Sequence, residues 1–264
     1  MISPIWRQKA LSTIHRVLLA KRQPQRNYES AMMRIVCALL LCFLCAAPAA
    51  AQQVSTRTYV DSHGTTWTEV TTTQTVLEVP RHQRIAAAIA GLPRFGPFVV
   101  IDGVHAALVG EVDSQSLAQF RQLLAAHPGV RVLELVDCPG TVDDGANLAL
   151  GRLIRRSGIA TDVPSGGSVR SGGLELFVAG ATRRAAPDAE FGVHAWKDKN
   201  GRQPGDFAPD APANQLYLDY YREMGLAEEE AQGLYALTNS VPNEQMLWLR
   251  TRDLKPYVEI APAQ

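Results

Sequence analysis

The chain has 264 residues, 26 basic and 26 acidic side chains, and a formal net charge of zero. No block of basic residues runs through its main part, which excludes the electrostatic footprint of a nucleic-acid-binding protein. Three of the four cysteines (Cys37, Cys42, Cys45) fall in one N-terminal stretch, so Cys138 stands alone and neither an internal disulfide nor a cysteine zinc cage is expected.

Residues 34–51 read RIVCALLLCFLCAAPAAA. A basic flank, a short apolar centre and a small-residue end make a secretory signal peptide, and the apolar run is shorter than the roughly 20 residues that span a bilayer. Residues 1–51 are therefore expected to be a leader, with the true start at Met32 or Met33. The product is exported, periplasmic or secreted, with no stable membrane insertion after cleavage; an uncleaved anchor is the competing reading. Seven basic residues but only one acidic residue lie in this leader, which leaves the other 213 residues with a net charge of −6. That length suits one domain with a proper core.

Residues 52–97 form an expected β-rich extension. Thr- and Val-rich alternation on either side of His63–Gly64 predicts a hairpin, and GLPRFGP near 91–97 marks a break. The main domain is expected over 98–264. It opens with a strand pair, FVVIDGVHAALVG, turning at Asp102–Gly103. A helix follows with Leu117, Phe120, Leu123 and Leu124 at helical spacing, Ser114 as N-cap and Gly129 as stop. Then come a strand in VRVLELV, a helix in DDGANLALGRLIRRSG whose charges match the helix dipole, a strand in IATDV, a short buried helix in SGGLELFVAG and a strand in AEFGVHAW. Repeated β-α-β order predicts an α/β fold with a mainly parallel sheet. Residues 198–213 read as a loop, ANQLYLDYYREMG and AEEEAQGLYALTN as two helices, and a last short helix is expected from Pro242, carrying Met246, Leu247 and Leu249.

Three stretches carry chemistry. In VDCPGTVDDG a strand runs into a Pro139–Gly140 turn and a helix start, where backbone N–H groups are free to bind an oxyanion. In SGGSVRSGGLELF glycines bracket Ser171 and an apolar helix follows at once, so a substrate can approach the hydroxyl. In FGVHAW, His194 ends an apolar strand downstream of that serine. A serine hydroxyl needs a base to take its proton, and imidazole titrates in the right range. Taken singly, each also fits a plain turn or a structural histidine.

The three motifs together resemble the Clp protease proteolytic subunit, within the ClpP/crotonase superfamily, and related exported bacterial proteins. The matching segments are D-C-P-G-T at 137–141, G-S-V-R-S-G-G-L-E-L-F-V-A-G at 167–180 and G-V-H at 192–194, in the family's order and with near-equal gaps. Tyr221–Gly225 and Met246–Leu249 match two later segments. The resemblance implies a β-α-β superhelical core and a serine hydrolase, most naturally a peptidase, acting on a peptide or protein. In it Ser171 is the nucleophile, His194 the base, Gly140 and Gly172 the oxyanion-hole donors, and no cofactor or metal takes part. A homo-oligomer would follow the family habit.

Three departures stand out. Thr141 replaces a glycine, and Arg170 replaces the small residue before the nucleophile; both are expected near the substrate. The family's triad aspartate is missing, and its region offers only Asn243 and Glu244; an Asn can orient an imidazole but supplies no charge. Asp206, Asp210 and Asp219 are substitutes, and Lys197 or Lys199 raises a Ser–Lys alternative. The main competing reading is a non-catalytic scaffold that binds peptide or an envelope partner. An acyl-thioester enzyme is a third, disfavoured by export.

Overall fold

The structure, a computed structural model, describes residues 10–21, 50–60, 66–77 and 79–261. The apolar stretch 34–49 read as a signal peptide, and the turn at 61–65, lie outside the described residues. The chain divides into two units at Val79/Pro80.

The first unit is a three-stranded antiparallel sheet of β1 (Ala10–Lys21), β2 (Ala50–Val60) and β3 (Thr66–Leu77), in the order β1-β3-β2. β2 and β3 are the expected hairpin, in register from Val60↔Thr66 to Ala50↔Val76. β-branched Thr and Val dominate β3 and suit a pleated surface. β1 comes from the segment read as leader, and it pairs with the outer edge of β3.

The second unit is mixed α/β. α1 (Arg81–Ala88) precedes an antiparallel edge of β4 (Arg94–Phe95), β5 (Phe98–Val100) and β6 (His105–Val109). The boundary expected at 97/98 falls inside this unit, because Arg94–Phe95 pairs with Phe98 and Val99. From β6 the chain runs through α2 (Ser116–Ala126), β7 (Val132–Cys138), α3 (Asp144–Arg156), β8 (Ala160–Val163), β9 (Ser168–Arg170), α4 (Gly173–Val178), β10 (Arg183–Ala185) and β11 (Glu190–Val193). The pairings β6–β7, β7–β8, β7–β9, β8–β10 and β9–β11 are all parallel, as the β-α-β reading requires. α5 (Pro212–Glu223), α6 (Glu228–Thr238), β12 (Leu247–Arg250) and α7 (Thr251–Leu254) close the unit.

β7 is a fork. Val132–Glu134 pairs with β8, while Asp137–Cys138 pairs with β9. The chain leaves β8 at Val163, turns through Pro164–Gly167, and re-enters against the upper half of the same strand. The C-terminal ends of β7, β9 and β11 thus lie side by side, and the loops that leave them carry the three motifs.

Helix boundaries follow local chemistry. Asp143 caps α3 by accepting from the Ala146 N–H at 2.9 Å, with Arg155 and Arg156 in the last turn. Gly151 of α3 admits the Tyr220 hydroxyl from α5; a Cβ there would stand 1.8 Å from it. α2 begins two residues later than its expected Ser114 cap, because Asp113 accepts from the N–H groups of Gln115 and Ser116. The helix expected after Pro242 is corrected: Leu247–Arg250 is a strand antiparallel to β11. Its alternation buries Leu249 and exposes Trp248 and Arg250, and pairing satisfies an otherwise open edge of β11.

The main core joins sheet and helices, and a smaller cluster of Val99, Ala107 and Val136 lies apart from it. Phe98 packs on Phe120 with ring centroids 4.9 Å apart, and Phe177 on Phe191 at 5.1 Å. All six residues of α4 are buried, as is Tyr220–Tyr221 of α5. No helix among the described residues is long and apolar enough to cross a membrane.

Candidate active site

Ser171 sits in the one-residue corner between β9 and Gly172, which leads into α4, with φ of 47°. It is the only non-glycine residue with positive φ among the described residues. A left-handed conformation costs a residue with a side chain about 1 kcal/mol or more, so the surrounding structure must impose it. The imposing contacts are short. The Ser171 N–H donates to the Gly192 carbonyl at 2.7 Å, and the Ser171 carbonyl accepts from Leu174 N–H at 3.0 Å. The first bond joins the serine corner to β11, two residues before His194.

Gly140 lies against this corner. A Cβ on Gly140 would stand 3.0 Å from Ser171 Cβ and 3.5 Å from Ser171 Oγ, and Gly140 itself has φ of +129°. Its carbonyl accepts from Val112 N–H at 3.0 Å. Gly172 is packed just as closely, since a Cβ there would stand 2.5 Å from Thr141 Cγ2. Neither the Gly140 N–H nor the Gly172 N–H donates to another described residue. Next to Ser171 in space and in sequence, Gly140 and Gly172 thus each keep an unused amide donor, and the Ser171 hydroxyl itself makes no hydrogen bond among the described residues.

His194 continues from β11. Its Nδ1 lies 2.9 Å from the Ala195 carbonyl. In the Nδ1–H tautomer this nitrogen donates to the carbonyl and Nε2 keeps its lone pair. Asn243 Nδ2 donates to the same carbonyl at 2.8 Å and stands 3.0 Å from Nδ1. Asn243 is held in turn by its own N–H, which donates to Gln203 Oε1 at 2.8 Å. The structure thus brings Asn243 beside His194 Nδ1. A direct Ser171–His194 hydrogen bond is not formed among the described contacts.

Five other sequence candidates make contacts of their own. Arg170 is buried; its Nη2 donates to Asp137 Oδ1 and its Nη1 to Ser168 Oγ, both at 2.6 Å. The side chain expected near substrate is thus engaged in an ion pair inside the fold. On β9, alternation puts residue 170 on the face opposite its neighbours. The Thr141 hydroxyl is 3.0 Å from the Val112 and Asp143 carbonyls and accepts from Asp143 N–H, so Thr141 braces the turn that holds Gly140. Asp206 caps its own turn through Gln203 N–H, and Asp219 pairs with Arg222. Lys197 is paired with Glu244 at 2.9 Å.

Two residues of the site were missed from sequence. Asn147 is buried on α3; its Nδ2 donates to the Gly172 carbonyl at 2.7 Å, while its Oδ1 has no partner among the described residues. Asp144, the first residue of α3, accepts from the Tyr217 hydroxyl at 2.9 Å. Crowding by protein raises its carboxyl pKa, against the Tyr217 bond and the attraction of His194, which lower it. Both depend on contacts with residues 25 and 73 positions away, which no local pattern announces. Trp196, Phe207 and Tyr217 stack beside this region, with Trp196–Tyr217 centroids 5.9 Å apart and nearly parallel rings.

No family model matches the chain, and no curated protein does. Solved structures do. A variant of a membrane-bound stomatin-specific protease, in complex with a substrate peptide, is 18% identical, with 62% of this chain and 76% of that chain covered and a TM-score of 0.40. A ClpP1 variant from Listeria monocytogenes is 15% identical, with 61% and 91% covered and a TM-score of 0.44. An enoyl-CoA hydratase from Shewanella pealeana is 12% identical, with 70% and 72% covered and a TM-score of 0.39. The α/β fold is similar to ClpP-like proteases and to enoyl-CoA hydratases alike.

Proposed function

We propose that the protein is an exported serine hydrolase, a peptidase, with Ser171 as nucleophile and His194 as base. The observation that carries this reading is the strained Ser171 corner flanked by two undonated amides, Gly140 and Gly172. Such donors stabilise a developing oxyanion, and each is typically worth about 100-fold in rate.

Ser171 Oγ attacks the scissile carbonyl carbon, and its proton passes to His194 Nε2. The carbonyl oxygen becomes an oxyanion held by the Gly140 and Gly172 N–H groups. The C–N bond then breaks, and the leaving amine takes the proton from Nε2. Water, deprotonated by the same nitrogen, hydrolyses the acyl-serine and restores the enzyme. The Ala195 carbonyl, itself fixed by the Asn243 amide, holds Nδ1–H throughout, so the base keeps one tautomer. Asp144 supplies the nearby negative charge that favours the transient imidazolium.

The substrate in this reading is a peptide or protein, and residues 1–51 would be removed in the course of export. A fluorophosphonate probe tests the chemistry. The wild-type chain is expected to be labelled on Ser171, with no label on Ser171→Ala and a rate at least about 100-fold lower on His194→Ala. Absence of label on the wild type, under conditions that label a known serine peptidase, would remove the reading. The second reading, a non-catalytic scaffold that binds peptide or an envelope partner, draws on the unformed Ser171–His194 hydrogen bond. It predicts that same absence.

A further inference from the structure

We infer that Arg170 and Asp137 are positioning residues whose ion pair sets the spacing between the Gly140 amide and the Ser171 hydroxyl. The inference rests on the proposed hydrolase reading and deepens it. Gly140 is carried by the end of β7 and Ser171 by the end of β9. The two strands share only two register pairs, Asp137↔Ser168 and Cys138↔Val169. A two-rung ladder is a weak hinge for two halves of one site.

The ion pair spans that hinge. Asp137 is three residues before Gly140, and Arg170 is the residue before Ser171. Arg170 Nη2 meets Asp137 Oδ1 at 2.6 Å, and Nη1 is fixed on Ser168 Oγ, so the guanidinium plane cannot swing. The Arg170 side chain is 5% exposed and that of Asp137 22%. Burying such a pair stabilises a fold poorly compared with apolar side chains, and its best-attested use is to fix registry. Registry is what this place needs. The space between Gly140 and the Ser171 side chain is too tight for a Cβ on residue 140, so a shift of tenths of an ångström between β7 and β9 changes how the donor meets the hydroxyl. His82 from α1 also faces Asp137, with Nε2 4.0 Å from Oδ1, and Glu190 on β11 adds to the same charge cluster.

Two variants keep the test independent of folding. Arg170→Lys keeps the charge but loses the fork, and Asp137→Asn/Arg170→Gln removes both charges and leaves neither unpaired. In fluorophosphonate labelling, both are expected to lower the maximal inactivation rate about tenfold or more, with the probe's inhibition constant within about twofold of wild type. A merely structural role would change the melting temperature and leave the rate of the folded fraction unaltered. Labelling of the folded double variant at the wild-type rate would overturn the inference. If the wild-type chain itself takes no label, the hydrolase reading fails by that result alone. Crystal structures then decide the geometric claim: a Gly140 N–Ser171 Oγ separation that differs between wild type and double variant supports it, and an unchanged separation overturns it.

Discussion

Asn243 stands where a carboxylate would hold the imidazole, and its contacts show what the amide can and cannot supply. It donates to the Ala195 carbonyl, which also takes the His194 Nδ1 proton, so orientation is provided without charge. A carboxylate at 243 would accept from Nδ1–H and stabilise the imidazolium as well. Asn243→Asp is therefore expected to raise the Ser171 labelling rate at least about tenfold, measured at constant probe and pH. A slower variant would mean that the amide's donation to the Ala195 carbonyl is the essential contact. Ser171, Gly140, Gly172 and His194 were legible in the sequence because close backbone approach demands glycine, and those glycines stand beside a hydroxyl and ahead of an imidazole. Arg170 was legible as unusual but not as buried, since its partner lies 33 positions away on another strand.

At the scale of elements, α4 shows a different economy. Its Glu175 is buried, four residues after Ser171, and accepts from the Tyr221 hydroxyl at 2.7 Å. Burial pushes its carboxyl up to about 7, from an ordinary 4.5, with the Tyr221 bond pulling the other way. The folded chain therefore holds this proton more tightly than the unfolded chain. The contribution is fully present below pH about 4.5 and is lost as pH rises through about 7. Glu175→Gln keeps the hydrogen bond and cannot ionise. Between pH 5 and pH 8 its urea-unfolding free energy should decline less than that of wild type, by up to about 3 kcal/mol. His82, whose pKa burial lowers, titrates in both chains and cancels in the comparison. Element types were largely readable from period and caps, but β9 and β10 were not. Three-residue strands carry too little pattern, and only their pairing with β7, β8 and β11 makes them strands. The segment after Pro242 misled for the same reason: Met246, Leu247 and Leu249 suit a short helix, and the open edge of β11 decides for a strand.

For the whole molecule, the α/β class and the parallel order came through because helices and strands alternate with distinct periods. The fork in β7 did not, because one strand shared between β8 and β9 leaves no trace in the spacing of either. That fork is what sets Gly140 beside Ser171, and β11 then delivers His194 and, through Ala195 and Asn243, the means to orient it. The account stands on an oxyanion site made by two particular amides around one particular hydroxyl. The crystal structure of the fluorophosphonate-treated chain tests it most directly. The account predicts phosphorus bonded to Ser171 Oγ, with the phosphoryl oxygen within about 3 Å of both the Gly140 and Gly172 nitrogens. An adduct on another residue, or a phosphoryl oxygen turned away from those two amides, would contradict it.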